Sequence, residues 1–148
     1  MFVWSIIHAK YISEKDDVVL VSSDSNKYLN IAKRWGAVPI KRPKELASDE
    51  AFTEPVMTHA ISKIDMDPED NVILLQPTSP LRSKRLMNQL KELLQRADSA
   101  ISLTESYDFN WVLIDDVHVK PTYTKRPRRQ DMKPQLAENG SVYFTKYK

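Results

Sequence analysis

A short polar segment, residues 76–82 (QPTSPLR), combines side chains that could bind an anionic or hydroxylated ligand. It holds an amide, two hydroxyls, a guanidinium and two prolines that fix the backbone. The aliphatic run before it, residues 71–75, predicts a strand buried on both faces, and leucines at helical spacing follow it. Polar groups at the carboxyl end of a parallel strand lie where open α/β sheets bind ligands. The segment is therefore the first candidate site, although an ordinary strand-to-helix turn has the same pattern.

Positive charge is concentrated in a second segment, residues 120–133. This segment has six basic residues and one aspartate, a local charge of +5, whereas the whole chain has a formal charge of +2. Such a concentration indicates a local anion site rather than a basic surface for duplex nucleic acid. The six basic residues are Lys120, Lys125, Arg126, Arg128, Arg129 and Lys133.

The residue types that are rare or missing exclude several kinds of chemistry. The 148 residues include no cysteine, so disulfides, thiolate catalysis and cysteine-bound zinc are excluded for this chain. Only two glycines occur, so a glycine-rich phosphate loop is not present in it. No apolar run approaches the length of a membrane span, and we expect no membrane partner.

Strand and helix patterns alternate along the chain and predict the framework that positions these segments. Helices are expected over residues 2–12, 26–35, 83–94 and from Thr53 onward, and strands over 18–21, 37–40, 71–75, 99–103 and 141–145. Residues 111–119 predict a hairpin that turns at two aspartates, and Asn139-Gly140 predicts a turn before the last strand. The alternation predicts one α/β domain, residues 1–148, with a three-layer and mostly parallel sheet.

Several segments, in this order, resemble motifs of the acylneuraminate (CMP-sialic acid) cytidylyltransferases. Residues 21–24 (VSSD) resemble the family's strand-end serine-aspartate, and residues 42–49 (RPKELASD) resemble its cytidine-side loop. Residues 76–82 match its central motif, and residues 126–131 (RPRRQD) with 138–144 (ENGSVYF) are similar to its sugar-binding segment. The resemblance spans nearly all of the chain. It implies a nucleotide-diphosphosugar-transferase-like fold, which is related to the Rossmann fold.

The resemblance also implies a reaction and the residues that bind its substrates. In that family the anomeric hydroxyl of a nine-carbon acidic sugar attacks the α-phosphate of CTP, giving a CMP-sugar and pyrophosphate, while Mg²⁺ neutralises the phosphates. Such chemistry depends on positioning and charge compensation rather than on a protein nucleophile. By resemblance, the residues that face the nucleotide are Arg42, Ala51 and Thr53, and those that face the sugar are Gln76, Arg129, Gln130, Asn139 and Tyr143.

The chain also departs from the family's pattern. Family members begin with a strand and a basic, glycine-containing loop that holds the triphosphate, and they carry distal aspartates that bind the metal. Neither feature occurs in these 148 residues. We therefore expect a chain truncated at both ends, incomplete or weakly active, with no certain catalytic residue and no metal ligand of its own. Residues 104–124 correspond to the hairpin projection through which family members dimerise, so a homodimer is expected.

Alternative interpretations remain open at this point. A non-catalytic paralogue that binds a nucleotide-sugar, or that dimerises with an intact homologue, would have the same motifs. Nucleic-acid binding through residues 125–129 is the weakest alternative, because stacking aromatics at regular spacing are missing there. The sugar could be a deaminated or bacterial nonulosonic acid, and an eight-carbon acid fits the last motif less well. We expect a cytoplasmic protein, or a nuclear one if it is of the animal type.

Overall fold

The computed structural model describes residues 1–147, which divide into two compact units. The first unit comprises Met1–Ile101 and the chain from Gly140 onward, and the second comprises Ser102–Asn139. The helices are α1 Phe2–Ile12, α2 Asn26–Arg34, α3 Thr53–Ile61 and α4 Lys84–Leu94. The strands are β1 Leu20–Ser23, β2 Val38–Lys41, β3 Asn71–Leu75, β4 Ser99–Ser106, β5 Trp111–Leu113, β6 Val119–Pro121 and β7 Gln135–Lys146. Two short 3₁₀ turns span Lys44–Leu46 and Arg129–Asp131.

Capping and apolar spacing agree in helix α4. At the start of α4, the hydroxyl of Ser83 accepts a hydrogen bond of 3.1 Å from the backbone nitrogen of Leu86, as an N-cap residue does. Met87 and Leu90, three residues apart, are both buried. The helix thus turns one apolar face to the core and leaves its charged face exposed.

The sheet of the first unit differs from the single, mostly parallel sheet predicted from the sequence. Strands β1 and β2 form a parallel pair, with Leu20 opposite Val38 and Ser23 opposite Lys41. Strand β7 lies between β3 and β4 and runs antiparallel to β3. The parallel pair is joined by a helix crossover, α2, whereas β7 returns from the second unit without one and can run in the opposite direction. The described residues therefore form an α/β protein with mixed sheets.

The core of the first unit has two apolar clusters, and α1 contributes to both. Ile6 packs with Ala32 and Ala37 beside β1, and Ile12 packs with a cluster formed by α4, β3 and β7. The buried members of that second cluster are Ile12, Met87, Leu90, Val142 and Phe144. Along β7, buried Val142 and Phe144 alternate with residues on the opposite face, Ser141 and Tyr143.

The second unit contains the predicted hairpin. Strands β5 and β6 pair antiparallel, with Val112 opposite Lys120, and the connection turns at Asp115 and Asp116. The carboxylate of Asp115 accepts hydrogen bonds from the backbone nitrogens of Val117 (3.0 Å) and His118 (2.8 Å), which close the turn. These bonds lower the pKa of Asp115, because they stabilise its charged form.

Asn139 and Gly140 do not form the turn that their sequence predicts. Strand β7 passes through both residues without interruption, and Gly140 takes up its positive φ of 64° inside the strand. Only glycine adopts this left-handed conformation without a steric penalty. The Asn-Gly pair therefore allows a local distortion of a long strand, and this distortion lies beside the candidate site.

Candidate functional site

Arg82 is the most buried polar side chain of the central motif, with 6% of its surface exposed. Its guanidinium donates to two backbone carbonyls, of Gln76 (2.6 Å) and of Ser141 (2.8 and 3.1 Å), and to the hydroxyl of Ser5 (3.2 Å). Burial lowers the pKa of Arg82 from its ordinary value, because desolvation disfavours the charged form. The sequence placed this guanidinium among groups directed at a ligand, and that interpretation is wrong: the side chain points inward and binds the backbone.

Gln76 follows β3, and its side chain lies against Gly140 of β7. A β-carbon on Gly140 would lie 2.8 Å from Oε1 of Gln76, so a larger residue there would displace the end of this amide. Tyr143 pairs with Leu74 of β3, and Gln76 follows the last residue of that strand, Leu75. Two of the predicted sugar-binding residues, Gln76 and Tyr143, thus lie at the same end of the paired strands β3 and β7 in the first unit.

The predicted nucleotide residues also lie in the first unit. Arg42 follows β2 and donates through Nη2 to the carbonyl of Ser22 (2.8 Å) and through Nε to its hydroxyl (3.2 Å). These bonds hold the guanidinium at the carboxyl end of the parallel β1–β2 pair, where open α/β sheets bind ligands. Thr53 is exposed as the first residue of α3, and Ala51 is half-buried just before it.

Three predicted sugar-binding residues belong to the second unit. Arg129 and Gln130 line an open cavity of about 800 Å³ whose other wall is residues 104–108. Asn139 accepts a hydrogen bond of 2.6 Å from the hydroxyl of Ser102. The predicted sugar-binding residues are thus divided between the two units.

The cavity of the second unit carries both signs of charge. Its two carboxylates have local donors: Glu105 accepts from the hydroxyl of Tyr107 (3.1 Å), and Asp108 accepts from the hydroxyl of Ser106 (2.6 Å). The hydrogen bond to Glu105 raises the pKa of Tyr107, with smaller contributions from burial and from the charge of Glu105. At pH 7 Tyr107 is therefore a neutral donor in the cavity wall.

The structure distinguishes between the three arginines of residues 126–129. Arg128 forms an ion pair of 2.6 Å with Asp131. The guanidinium carbons of Arg126 and Arg129 lie 4.6 and 5.7 Å from the centre of the Phe109 ring, within cation–π range. Among residues 1–147, no carboxylate forms an ion pair with Arg129.

Phe109 is a residue that the motif comparison missed. Its ring also meets Tyr123 edge to face at 5.8 Å, and Tyr123 meets Trp111 in the same way at 6.3 Å. The three aromatic side chains pack together. The ring of Phe109 lies beneath Arg126 and Arg129, which are distant from it in sequence. The only sequence signal for it was the alternation of aromatics at positions 107, 109 and 111.

The described residues do not fit a magnesium site. Within residues 1–147, no three side chains of Asp, Glu, His or Cys come together in a way that could hold a metal ion. Asp24 and Asp49, the two aspartates near the predicted nucleotide residues, are separate and exposed. We therefore assign no Mg²⁺ ligand in this chain and derive no step through the metal.

His8 is a half-buried packing residue of α1 near Arg82. Its Nδ1 is buried and has no hydrogen-bond partner among the described residues. Burial, and after it the positive charge of Arg82, lower the pKa of His8 from its ordinary value of 6.5, while weaker interactions with the backbone of Arg82 and Trp4 act in the opposite direction. At neutral pH His8 is therefore an uncharged neighbour of the Arg82 guanidinium.

The lowered pKa of His8 predicts a pH dependence of stability. Below pH 6.5 the unfolded chain binds a proton at His8 more readily than the folded protein does. The free energy of unfolding should therefore be highest above this pH and decrease as the pH falls through the folded-state pKa of His8. The measurement is urea unfolding between pH 7.5 and 5 on the wild type and on His8→Gln, and the variant should have the shallower slope. The same slope in both proteins would contradict this prediction.

No helix of residues 1–147 is long and apolar enough to cross a membrane.

The sequence profile of the cytidylyltransferase family matches residues 1–146. An N-acylneuraminate cytidylyltransferase A of Danio rerio is 30% identical over 95% of this chain and 34% of its own length. An N-acylneuraminate cytidylyltransferase of Escherichia coli O18:K1:H7 is 39% identical over 68% of this chain and 24% of its own length.

A third relative differs in the sugar that its name gives. The pseudaminic acid cytidylyltransferase and UDP-2,4-diacetamido-2,4,6-trideoxy-beta-L-altropyranose hydrolase of Helicobacter pylori is 28% identical over 86% of this chain and 26% of its own length. The chain thus spans about a third or less of the length of these curated relatives. The profile match over nearly the whole chain confirms the resemblance seen in the motifs: the chain belongs to the cytidylyltransferase family.

Proposed function

We propose that this chain is part of an enzyme that transfers CMP from CTP to an acidic nonulosonic sugar of the N-acylneuraminate type and releases pyrophosphate. Its membership of the cytidylyltransferase family and the names of its relatives support this proposal. The observation that supports it most strongly is the position of the Gln76 side chain against Gly140. This contact brings the central motif, residues 76–82, next to the last motif, residues 138–144. A sugar site built from both motifs requires such a contact.

In the proposed reaction, the anomeric hydroxyl of the sugar loses its proton to solvent water, and a bond forms between its oxygen and the α-phosphorus of CTP. The bond from that phosphorus to the β-phosphate oxygen breaks, and pyrophosphate leaves with the electron pair. The part of this chain is to bind and orient the two substrates, since a reaction of this kind gains most from holding the attacking oxygen in line. The fold we propose for this task is nucleotide-diphosphosugar-transferase-like.

On the nucleotide side, Arg42 is proposed to contact the cytidine. Its Nε and one Nη are directed at Ser22, so the guanidinium is held in place and presents its remaining N–H groups to a ligand. Thr53 offers a hydroxyl, and the backbone carbonyl of Ala51 offers an acceptor for a base edge, whereas its N–H donates to the carbonyl of Ser48 (3.2 Å). These groups suit the amide-like edge of a pyrimidine.

On the sugar side, Arg129 is proposed to bind the carboxylate of the sugar. A guanidinium can make two parallel hydrogen bonds to a carboxylate, which fixes orientation as well as charge. The amides of Gln76, Gln130 and Asn139 and the hydroxyl of Tyr143 each combine donor and acceptor capacity, which suits sugar hydroxyls. The sugar itself is proposed to be N-acetylneuraminic acid, with other nonulosonic acids as the alternative.

Titration calorimetry and a pyrophosphate-release assay test the proposed function. We expect the protein to bind CTP and CMP-N-acetylneuraminate, and to bind CMP more tightly than UMP. The release assay contains CTP, Mg²⁺ and either N-acetylneuraminic or pseudaminic acid. Release with either sugar assigns the enzyme and its substrate, and binding without release assigns a non-catalytic nucleotide-sugar-binding paralogue. A protein that binds neither CTP nor the CMP-sugar would contradict the proposal.

We also propose that the hairpin of the second unit mediates a homodimer. Most of its apolar side chains are well exposed, including Trp111 (54%), Leu113 (69%) and Ile114 (60%). A contiguous exposed apolar patch on a small protein usually marks an interface.

The dimer prediction is that Leu113→Lys weakens self-association, because a buried lysine at an apolar interface is unfavourable. Phe52→Lys, which replaces a 77% exposed aromatic of the first unit, is the matched control and should leave self-association unchanged. Sedimentation velocity at tens of micromolar measures both variants and the wild type. A wild type that sediments only as a monomer, or equal effects of both changes, would refute the proposed interface.

A further inference from the structure

Arg82 is a buried cation without a carboxylate partner. Only 6% of its surface is exposed, and among residues 1–147 it forms no ion pair. Taking a guanidinium out of water is unfavourable, so its hydrogen bonds must offset the loss of hydration. What Arg82 does in this protein is therefore defined by the groups to which it donates.

Those groups belong to three separate segments of the first unit. Nη2 donates to the carbonyl of Gln76 (2.6 Å) and to that of Ser141 (2.8 Å), and Nε donates to Ser141 as well (3.1 Å). Nη1 donates to the hydroxyl of Ser5 on α1 (3.2 Å). Hydrogen bonds from a charged donor are about twice as strong as those between neutral groups. The guanidinium thus links α1, the end of β3 and the middle of β7 by hydrogen bonds.

The hydrogen bonds of Arg82 to the two carbonyls lie where the paired part of β3 and β7 ends. The last pair is Leu75 with Val142, and the next residues along the two strands are Gln76 and Ser141. Arg82 joins the carbonyls of these two residues, so the backbone of Gln76 stays beside β7 after the strand has ended. The side chain of Gln76 can then rest on Gly140.

We infer that Arg82 is a positioning residue for Gln76 and thereby a determinant of sugar binding. The inference rests on the proposed function, because Gln76 is a proposed sugar ligand. Arg82 acts through the backbone: its donors fix the carbonyl of Gln76, and the amide side chain is directed from that fixed point. A purely structural role would instead make Arg82 important for folding and indifferent to which ligand is bound.

A double-mutant cycle of binding affinities, measured on the full chain, distinguishes the positioning role from the purely structural role. Arg82→Lys keeps the charge but replaces the planar guanidinium with a single ammonium, so it cannot keep the bonds that Nε, Nη1 and Nη2 make together. Calorimetry would measure the affinities of CMP and of CMP-N-acetylneuraminate for the wild type, Arg82→Lys, Gln76→Ala and the double variant. We expect Arg82→Lys to weaken the binding of CMP-N-acetylneuraminate about tenfold, the effect of losing one hydrogen bond from Gln76 to the sugar, and to leave the affinity for CMP within about twofold. In the Gln76→Ala background, Arg82→Lys should cause no further loss.

Other outcomes overturn the inference in distinguishable ways. Equal losses for both ligands, additive losses in the double variant, or no loss at all would show that Arg82 does not act through Gln76. A wild type that binds neither ligand would refute the proposed function itself, and the inference with it.

A relaxation measurement on the wild type keeps the inference testable if Arg82→Lys fails to fold. The side-chain amide of Gln76 should be rigid in ¹⁵N relaxation, whereas exposed Gln89 on α4 serves as the mobile reference. A Gln76 amide as mobile as that of Gln89 would also refute the positioning role.

Discussion

Replacing Arg129 with alanine is expected to weaken the binding of CMP-N-acetylneuraminate by roughly ten- to a hundredfold. The change removes a charge-assisted hydrogen bond to the proposed sugar carboxylate, which contributes about 1.5–3 kcal/mol. Arg129 lines the cavity of the second unit and forms no ion pair within residues 1–147. Its guanidinium lies over the ring of Phe109, which limits the positions that it can take.

Arg128→Ala is the matched control for this prediction. Arg128 lies one position earlier in the same segment, and its charge is already paired with Asp131 at 2.6 Å. Exposed ion pairs of this kind contribute well under about 1 kcal/mol, so its loss should change the affinity by less than about fivefold. Titration calorimetry at one salt concentration compares the two variants. Small and equal losses would mean that residues 126–129 form a solvated basic loop and that Arg129 is not a ligand.

Gly140→Ala is expected to lower both stability and sugar affinity. A non-glycine residue at φ +64° costs roughly 1–2 kcal/mol, which should appear as a lower free energy of unfolding. The new methyl group would also lie 2.8 Å from Oε1 of Gln76 and push the amide from its position. The expected loss in affinity for CMP-N-acetylneuraminate is about tenfold, the contribution of one hydrogen bond to the sugar.

The other glycine provides a control of the same kind. Gly36 has φ +71°, and a methyl group there would meet only the flexible end of Lys10, away from the predicted sugar-binding residues. Gly36→Ala should therefore cause a similar loss of stability and leave the affinity for the CMP-sugar unchanged. Urea unfolding and calorimetry on both variants give the two quantities. If the two glycine variants lose affinity equally, the loss at Gly140 reflects general destabilisation rather than displacement of Gln76.

The sequence by itself determined the elements that depend on local interactions. The N-cap at Ser83, the apolar face with Met87 and Leu90, and the hairpin that turns at Asp115 all follow from residues within a few positions of one another. The motifs that identify the family are local as well, so a profile match over residues 1–146 could confirm them. The strand predicted over residues 37–40 is likewise present, as β2.

Tertiary structure alone decided which way the strands run and what two of the arginines do. Strand β7 entered the sheet antiparallel to β3, and Asn139-Gly140 became part of that strand instead of a turn, because pairing between distant segments overrides local turn preference. Arg82 became buried because the carbonyls of Gln76 and Ser141 meet only when β3 and β7 pair. Arg129 lies over the ring of Phe109, 20 positions earlier in the chain, whereas Arg128 pairs with Asp131 three positions later. The hydrogen-bond partners of Arg82 are 6 to 77 positions away, and a local sequence pattern does not encode contacts at such distances.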